Sequence, residues 1–190
     1  KNYIESDELG GKDPYSASKA CAEIVVNSYI QSFTKKSFLK DRISTARSGN
    51  VLGGGDYSKN RLVPDILKAI NKHKELIIRN PEHVRPWQHV IEPIYGYMLL
   101  AQKQYQKKIK EKNNAWNFGP SDADAKPVQW IVEQMAIRWG DEAKWDAPKG
   151  DHPHEASHLK LDISKAKASL GWEPILALDD SLNLIIDWSK

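Results

Sequence analysis

Tyr15 and Lys19, in the run Tyr15-Ser-Ala-Ser-Lys19, stand four residues apart. On a helix, positions i and i+4 project from one face about a turn apart, so a phenol and an ammonium at this spacing can share a site. A nearby cation favours phenolate over phenol and moves the tyrosine towards service as a base at neutral pH. The bare spacing is common on helices, so a functional reading needs support from the surroundings. Cys21 sits beside Ala20 on a stripe of small residues and reads as buried packing, with no nucleophile constellation around it. The segment His152-Pro-His-Glu-Ala-Ser-His158 contains ligand types that zinc accepts, but Pro153 interrupts it and no HExxH-type helical spacing is present. It reads as a solvated loop, and no metal is expected.

The elements that must position these groups follow from periodicity and punctuation. Leu9-Gly10-Gly11 and Asp13-Pro14 mark a loop that hands over to a helix from Tyr15 to about Phe33, with Ala17, Ala20, Cys21, Ile24, Val25 and Ser28 as its inner stripe. A short β-prone run from Ile43 to Ser48 is closed by Gly49-Asn50, and Gly53-Gly54-Gly55-Asp56 reads as a loop. Further helices are expected at Val63–His73, Glu92–Ile109, Val128–Trp139, Ser164–Leu170 and Asp179–Trp188. Short strands are expected at Leu76–Arg79 and Trp116–Phe118, and a proline-punctuated loop leads up to Trp87. The alternation of strands with helices predicts α/β architecture with parallel pairing. No internal repeat is visible, and the lysine-rich stretch 103–112 reads as the exposed end of a helix.

Composition narrows the function classes. The chain has 190 residues, 40% hydrophobic and 28% charged, with a formal net charge of +3, so it is expected to fold around a core, and its charge alone does not argue for nucleic acid. Its longest apolar runs, such as 98–101, fall far short of the roughly 20 residues that cross a bilayer. One cysteine and no secretory h-region favour a reducing cytoplasm. The chain opens on Lys1 and reads as a segment whose upstream portion is missing.

The fragment DPYSASKACAE at 13–23 resembles the active-site helix of the short-chain dehydrogenase/reductase superfamily, in which YxxxK marks the catalytic pair. TARSGNVLGGGD at 45–56, RLVPDI at 61–66, RPWQHV at 85–90, WNFGP at 116–120 and LDISKAKASLGWEP at 161–174 resemble later landmarks of its extended, nucleotide-sugar-modifying branch, in that order. Within the branch, RPWQHV, the run 116–128 and PHEA at 153–156 look most like the CDP-glucose 4,6-dehydratase family.

The resemblance implies a doubly wound, Rossmann-like sheet. Residues 1–62 would be the later part of the NAD-binding domain, and 63–190 mainly a smaller nucleotide-sugar lobe. It implies Tyr15 as the base at the sugar 4-hydroxyl while NAD takes the hydride, and Lys19 as the residue that holds the nicotinamide ribose and lowers the tyrosine pKa. Lys1 is a possible further catalytic residue. Water would then leave across C5 and C6, and the hydride would return to C6. Ser48 and Asn50 would join Tyr15 and Lys19 around the cofactor, while Asn50, Arg61, Arg85, Asn117, His154 and Glu155 would meet the nucleotide sugar. Arg85 leads that set because guanidinium recognises phosphate bidentately, and Gly53–Gly55 would let backbone approach phosphate closely.

A homodimer through the Tyr15 helix and a role in bacterial deoxysugar and O-antigen biosynthesis are further implications. The glycine-rich pyrophosphate turn of such folds lies upstream of these residues, so the segment alone is expected neither to bind NAD nor to turn over substrate. A nucleotide-sugar 4-epimerase and a non-catalytic binding module are the alternatives.

Overall fold

In a computed structural model, residues 2–34, 37, 39, 42–109, 114–140, 144–147 and 157–190 are described. In chain order the elements are α1 (Pro14–Tyr29), β1 (Thr45–Ser48), β2 (Asn50–Leu52), α2 (Leu62–Asn71), β3 (Leu76–Ile77), β4 (Val84–His89), α3 (Ile91–Tyr105), β5 (Ala115–Phe118), β6 (Ala125–Pro127), α4 (Val128–Trp139), β7 (Trp145–Asp146) and α5 (Leu178–Ser189). Short π-helical segments, Ile30–Thr34 and Ala166–Leu170, extend α1 and precede α5. Strand pairs β1–β5, β2–β4 and β3–β7 are parallel, while β6 adds to β4 antiparallel.

Two expectations about strands are corrected. Gly49-Asn50 does not end the extended run, because Asn50 opens β2 in register with Trp87. The stretch before Trp87 is not a loop either: residues 84–89 form β4, between β2 and β6, and Arg85 sits within it. Proline lacks a ladder donor and argues against a central strand. Here burial outweighs that cost. Pro86, Trp87 and Gln88 are all buried, Trp87 Nε1 donates to Lys126 O at 2.8 Å, and Gln88 Nε2 donates to Phe118 O at 2.9 Å.

One hydrophobic cluster gathers around Trp87. Val63, Ile66 and Ile70 of α2 recur at helical spacing and meet Ile131 and Met135 of α4 and Leu182 and Ile185 of α5. A second cluster joins Leu100, Trp116, Phe118, Leu170 and Trp172. Its aromatic edges are ordered: Phe118 and Trp172 lie 5.0 Å apart at 83°. Gly96 admits the Phe118 ring, since a Cβ there would stand 2.3 Å from Cδ1. The buried Glu92 carboxylate accepts from Ile175 N and from Leu176 N, the latter at 2.7 Å, and fastens the segment before α5 to α3.

Helix α1 starts where Asp13 caps it: one carboxylate oxygen accepts from Tyr15 N at 2.9 Å and Ser16 N at 3.0 Å, and Pro14 follows the cap. No residue of α1 is buried. Its half-buried face runs through Ser16, Ala17, Ala20, Glu23 and Val26, so the inner stripe is rotated from the one expected. Cys21 is exposed, a correction to the expectation of buried packing, because the protein-facing side of α1 passes through Ala20 and Glu23 and leaves position 21 outside. Helix α3 ends at Tyr105, short of the expected Ile109. Among the described residues no helix is long and apolar enough to cross a membrane.

Candidate functional site

The i, i+4 spacing of Tyr15 and Lys19 becomes a shared face in the first turns of α1. Lys19 Nζ lies 5.4 Å from the centre of the Tyr15 ring, and Tyr15 is 65% exposed. Both polar ends are therefore open to a ligand. The Asp13 cap is charged as well as hydrogen-bonded: the Ser16 hydroxyl and the Ser16 and Tyr15 backbone N–H groups hold the Asp13 carboxyl below its usual range. A carboxylate there also suits the positive end of the helix. One turn beyond Lys19, Glu23 receives two bonds of 2.6 Å from Arg47 Nε and Nη2 and one of 3.3 Å from Thr45 Oγ1. This fork fixes α1 to β1.

Ser48 lies exposed at the end of β1, and half-buried Asn50 opens β2 two residues later. Asn50, Arg61 and Arg85 line one cleft of about 700 Å³, walled by β2, the loop 53–61, the start of α2 and the segment 76–87. Thus three of the expected substrate residues converge, although 35 positions separate the first from the last. Arg61 is the N-cap of α2 with an extended backbone and makes no side-chain capping bond. Asp56 faces the same cleft. Its carboxyl is held below the usual range by the Ser58 hydroxyl and backbone N–H, with the Arg61 charge adding to the effect.

Arg79 and His83 also line the cleft, and sequence reasoning missed both. Their nearness in sequence to Arg85 was the available signal. Arg85 Nη1 donates to Val84 O at 3.0 Å, and Nη2 lies 3.1 Å from His83 Nδ1. Guanidinium has only donors, so His83 Nδ1 accepts here and the imidazole carries its proton elsewhere. The result is a basic wall of Arg61, Arg79 and Arg85 suited to an anionic ligand. At the far end of β4, burial pushes the His89 imidazole pKa down, with the Glu92 charge opposing it, and His89 Nδ1 accepts from Ile91 N at 3.3 Å.

Asn117 is not at this cleft. It is fully buried in β5, where Nδ2 donates to Tyr3 O at 3.0 Å and Asp162 O at 3.2 Å while its backbone N donates to Glu5 Oε1 at 2.9 Å. The side chain thereby holds Tyr3 and Asp162 together, where a substrate contact was expected. Lys1, His154 and Glu155 lie outside the described residues.

Comparison with known proteins gives a consistent result. The profile of the GDP-mannose 4,6 dehydratase family matches residues 2–184. A CDP-glucose 4,6-dehydratase of Salmonella typhimurium is 47% identical over 191 residues, covering 99% of this chain and 53% of that protein. A dTDP-D-glucose 4,6-dehydratase of Mus musculus is 20% identical over 191 residues, covering 100% of this chain and 51% of the relative. The chain spans about half the length of these relatives.

Among solved structures, a dTDP-glucose 4,6-dehydratase from Bacillus anthracis in complex with NAD superposes with TM-score 0.79 at 20% identity, over 99% of this chain and 55% of that one. A UDP-glucuronic acid 4-epimerase from Bacillus cereus, in complex with UDP-glucuronic acid and NAD, gives 0.76 at 20% identity, over 98% of this chain and 60% of that one. These likenesses establish a Rossmann-like α/β fold shared with those structures.

Proposed function

The chain belongs to the GDP-mannose 4,6 dehydratase family, and from that premise we propose that it carries the Tyr–Lys pair and the nucleotide-sugar cleft of an NAD-dependent CDP-glucose 4,6-dehydratase. The observation that carries this reading is the 47% identity to a CDP-glucose 4,6-dehydratase over nearly the whole chain. The shared face of Tyr15 and Lys19 and the convergence of Asn50, Arg61 and Arg85 support it.

In this reading Tyr15 Oη takes the proton of the sugar 4-hydroxyl, with the Lys19 ammonium on the same helix face beside it. Arg85 and Arg61 hold the diphosphate and thereby orient the sugar towards α1. The donor set of the α1 face suits NAD: an exposed phenol and an exposed ammonium can meet ribose hydroxyls, with Ser48 at the end of β1, the strand to which Glu23 ties α1, and Asn50 at the start of β2. When bound, NAD supplies the oxidation at C4 and the return of the hydride to C6. The 4-keto sugar loses its acidified C5 proton and the C6 hydroxyl, which together leave as water, and a proton equivalent to the one taken from the 4-hydroxyl is returned to C5 when the hydride reaches C6. Lys1 as a second acid/base group, and His154 and Glu155 as nucleotide contacts, rest on the resemblance alone. So does the division into a cofactor side, 1–62, and a sugar-nucleotide side, 63–190.

The exposed apolar residues Ile24, Val25 and Tyr29 of α1 suit a homodimer contact. A cytoplasmic enzyme of bacterial deoxysugar and lipopolysaccharide biosynthesis is the corresponding setting. The test is product analysis with the full-length protein given CDP-, UDP- and dTDP-glucose in competition. A 4-keto-6-deoxy sugar formed fastest from CDP-glucose is expected. A 4-epimer, or binding without turnover, contradicts the proposal.

A further inference from the structure

The loop 53–61 separates two spaces. On one side is the cleft described above, and on the other a hollow of about 440 Å³, and Gly53, Asp56 and Asn60 border both. The ends of the loop are held: Val90 N donates to Leu52 O at 2.7 Å just before it, and Asp65 N donates to Arg61 O at 3.0 Å where α2 begins. Between them the backbone takes positive φ at Gly55 (75°) and Asn60 (60°), a path that needs support to stay in one shape.

That support comes from the opposite end of the chain. The indole of Trp188, near the end of α5, lies against the loop. A Cβ built on Gly54 would stand 2.6 Å from Trp188 Cγ and Cδ2, and one on Gly55 would stand 3.3 Å from Cζ2. The two glycines let the backbone lie directly on the ring. Tyr57, further along the loop, approaches the same indole, with ring centres 6.4 Å apart. Helix α5 is a firm base for this contact, since Leu182, Ile185 and Ile186 are buried in the core. Trp188 itself is 58% exposed, so burial of its own surface is a poor explanation for a tryptophan at this position.

We propose that Trp188 is a positioning residue for nucleotide-sugar binding: its indole holds Gly54 and Gly55 and so sets Asp56 and Arg61 at the wall of the cleft. This rests on the dehydratase reading for the identity of the ligand, while the loop contact itself does not. The role is in ordering the binding wall and not in the chemistry, so its loss weakens binding and leaves turnover of bound substrate intact.

The test uses the full-length protein with CDP-glucose. Trp188→Ala is expected to raise KM about tenfold with kcat within about twofold, and Trp188→Phe to restore most of the loss. Trypsin cleavage after the exposed Lys59 and Arg61 should quicken in Trp188→Ala and return towards the wild-type rate in Trp188→Phe. Gly54→Ala should raise KM when Trp188 is present and add less than about twofold when position 188 is alanine, because the clash partner is gone.

If Trp188→Ala does not fold, Trp188→Phe and Gly54→Ala carry the test through KM and cleavage rate. Unchanged KM and cleavage in the variants, or effects of Gly54→Ala and Trp188→Ala that simply multiply, overturn the proposal. If wild-type protein does not turn over CDP-glucose, the dehydratase reading fails and the substrate role falls with it. The cleavage rates then still decide whether Trp188 holds the loop.

Discussion

Helix α1 and the α2–β4 region present the two halves of the candidate chemistry on different foundations. Every residue of α1 is exposed or half-buried, and Ile24, Val25 and Tyr29 face outward. Its tethers are polar: the Asp13 cap and the Glu23 fork to Arg47 and Thr45. The cleft residues, by contrast, stand on a hydrophobic base of Val63, Ile66, Trp87 and Ile131. Tyr15 and Lys19 depend on a few directional bonds, whereas Arg85 stands on a strand, and Arg61 at the start of a helix, that close-packed hydrocarbon backs. A chemical group on α1 can therefore be removed without disturbing the core. A change in the cleft wall reports on binding.

The largest expected effect breaks the comparison at its chemical end. In the full-length protein, Tyr15→Phe should lower kcat about a thousandfold, the range of general base catalysis, while KM for CDP-glucose stays within a few-fold. Steady-state kinetics checks it, and a loss confined to KM would assign Tyr15 to binding. Arg85→Ala should do the reverse. Removal of charge-assisted bonds of about 1.5–3 kcal/mol raises KM roughly ten- to a hundredfold, with a smaller change in kcat.

Glu23→Ala probes the tether itself. Its pair with Arg47 is partly buried, with side-chain exposures of 17% and 22%, so a loss of about 1 kcal/mol is expected. Hydrogen exchange should quicken across 14–29 and stay unchanged across 62–71. Uniform acceleration of both would show that α1 and the core form one cooperative unit.

The smallest effect is in the pH dependence of the two regions. The folded-state pKa of His89 lies below the ordinary 6.5, chiefly through burial, so its contribution to stability is present above 6.5 and is lost as pH falls through the lowered value. The folded-state pKa of Asp13 lies below 3.8, chiefly through the Ser16 hydroxyl, so its contribution is present above 3.8 and is lost only at lower pH. On acidification, exchange at the β4–α3 junction should quicken before exchange at the start of α1. His89→Gln should remove the first step and leave the second.

How much of this was legible in the sequence follows from the range of the interactions. The bounds of α4, 128–139, follow from its local period and the Gly140 that ends it, and the Tyr15–Lys19 face is one turn of helix. Strands β2 and β4 were hidden because Gly49, Asn50 and Pro86 read locally as punctuation, while the burial of Trp87 and Gln88 that decides the matter is a tertiary effect. The phase of α1 was misread for the same kind of reason. Its apolar residues are split between two sides, and the Glu23–Arg47 bond turns inward the side of Ala17, Ala20 and Val26 while Ile24 and Val25 stay outside. Arg61 and Arg85 were found by resemblance, and Arg79 and His83 joined them only through the fold. Asn117 was placed with the substrate because its motif was read as a landmark, whereas its amide binds backbone.

The central claim is that a sugar held by the arginine wall presents its C4 to the Tyr15–Lys19 face. The most direct measurement is the structure of full-length Tyr15→Phe bound to CDP-glucose. The account predicts the diphosphate against Arg61 and Arg85 and the 4-hydroxyl beside the ring at position 15, with Lys19 within reach. A sugar lodged with C4 turned away from α1, and residue 15 left facing solvent, would contradict it.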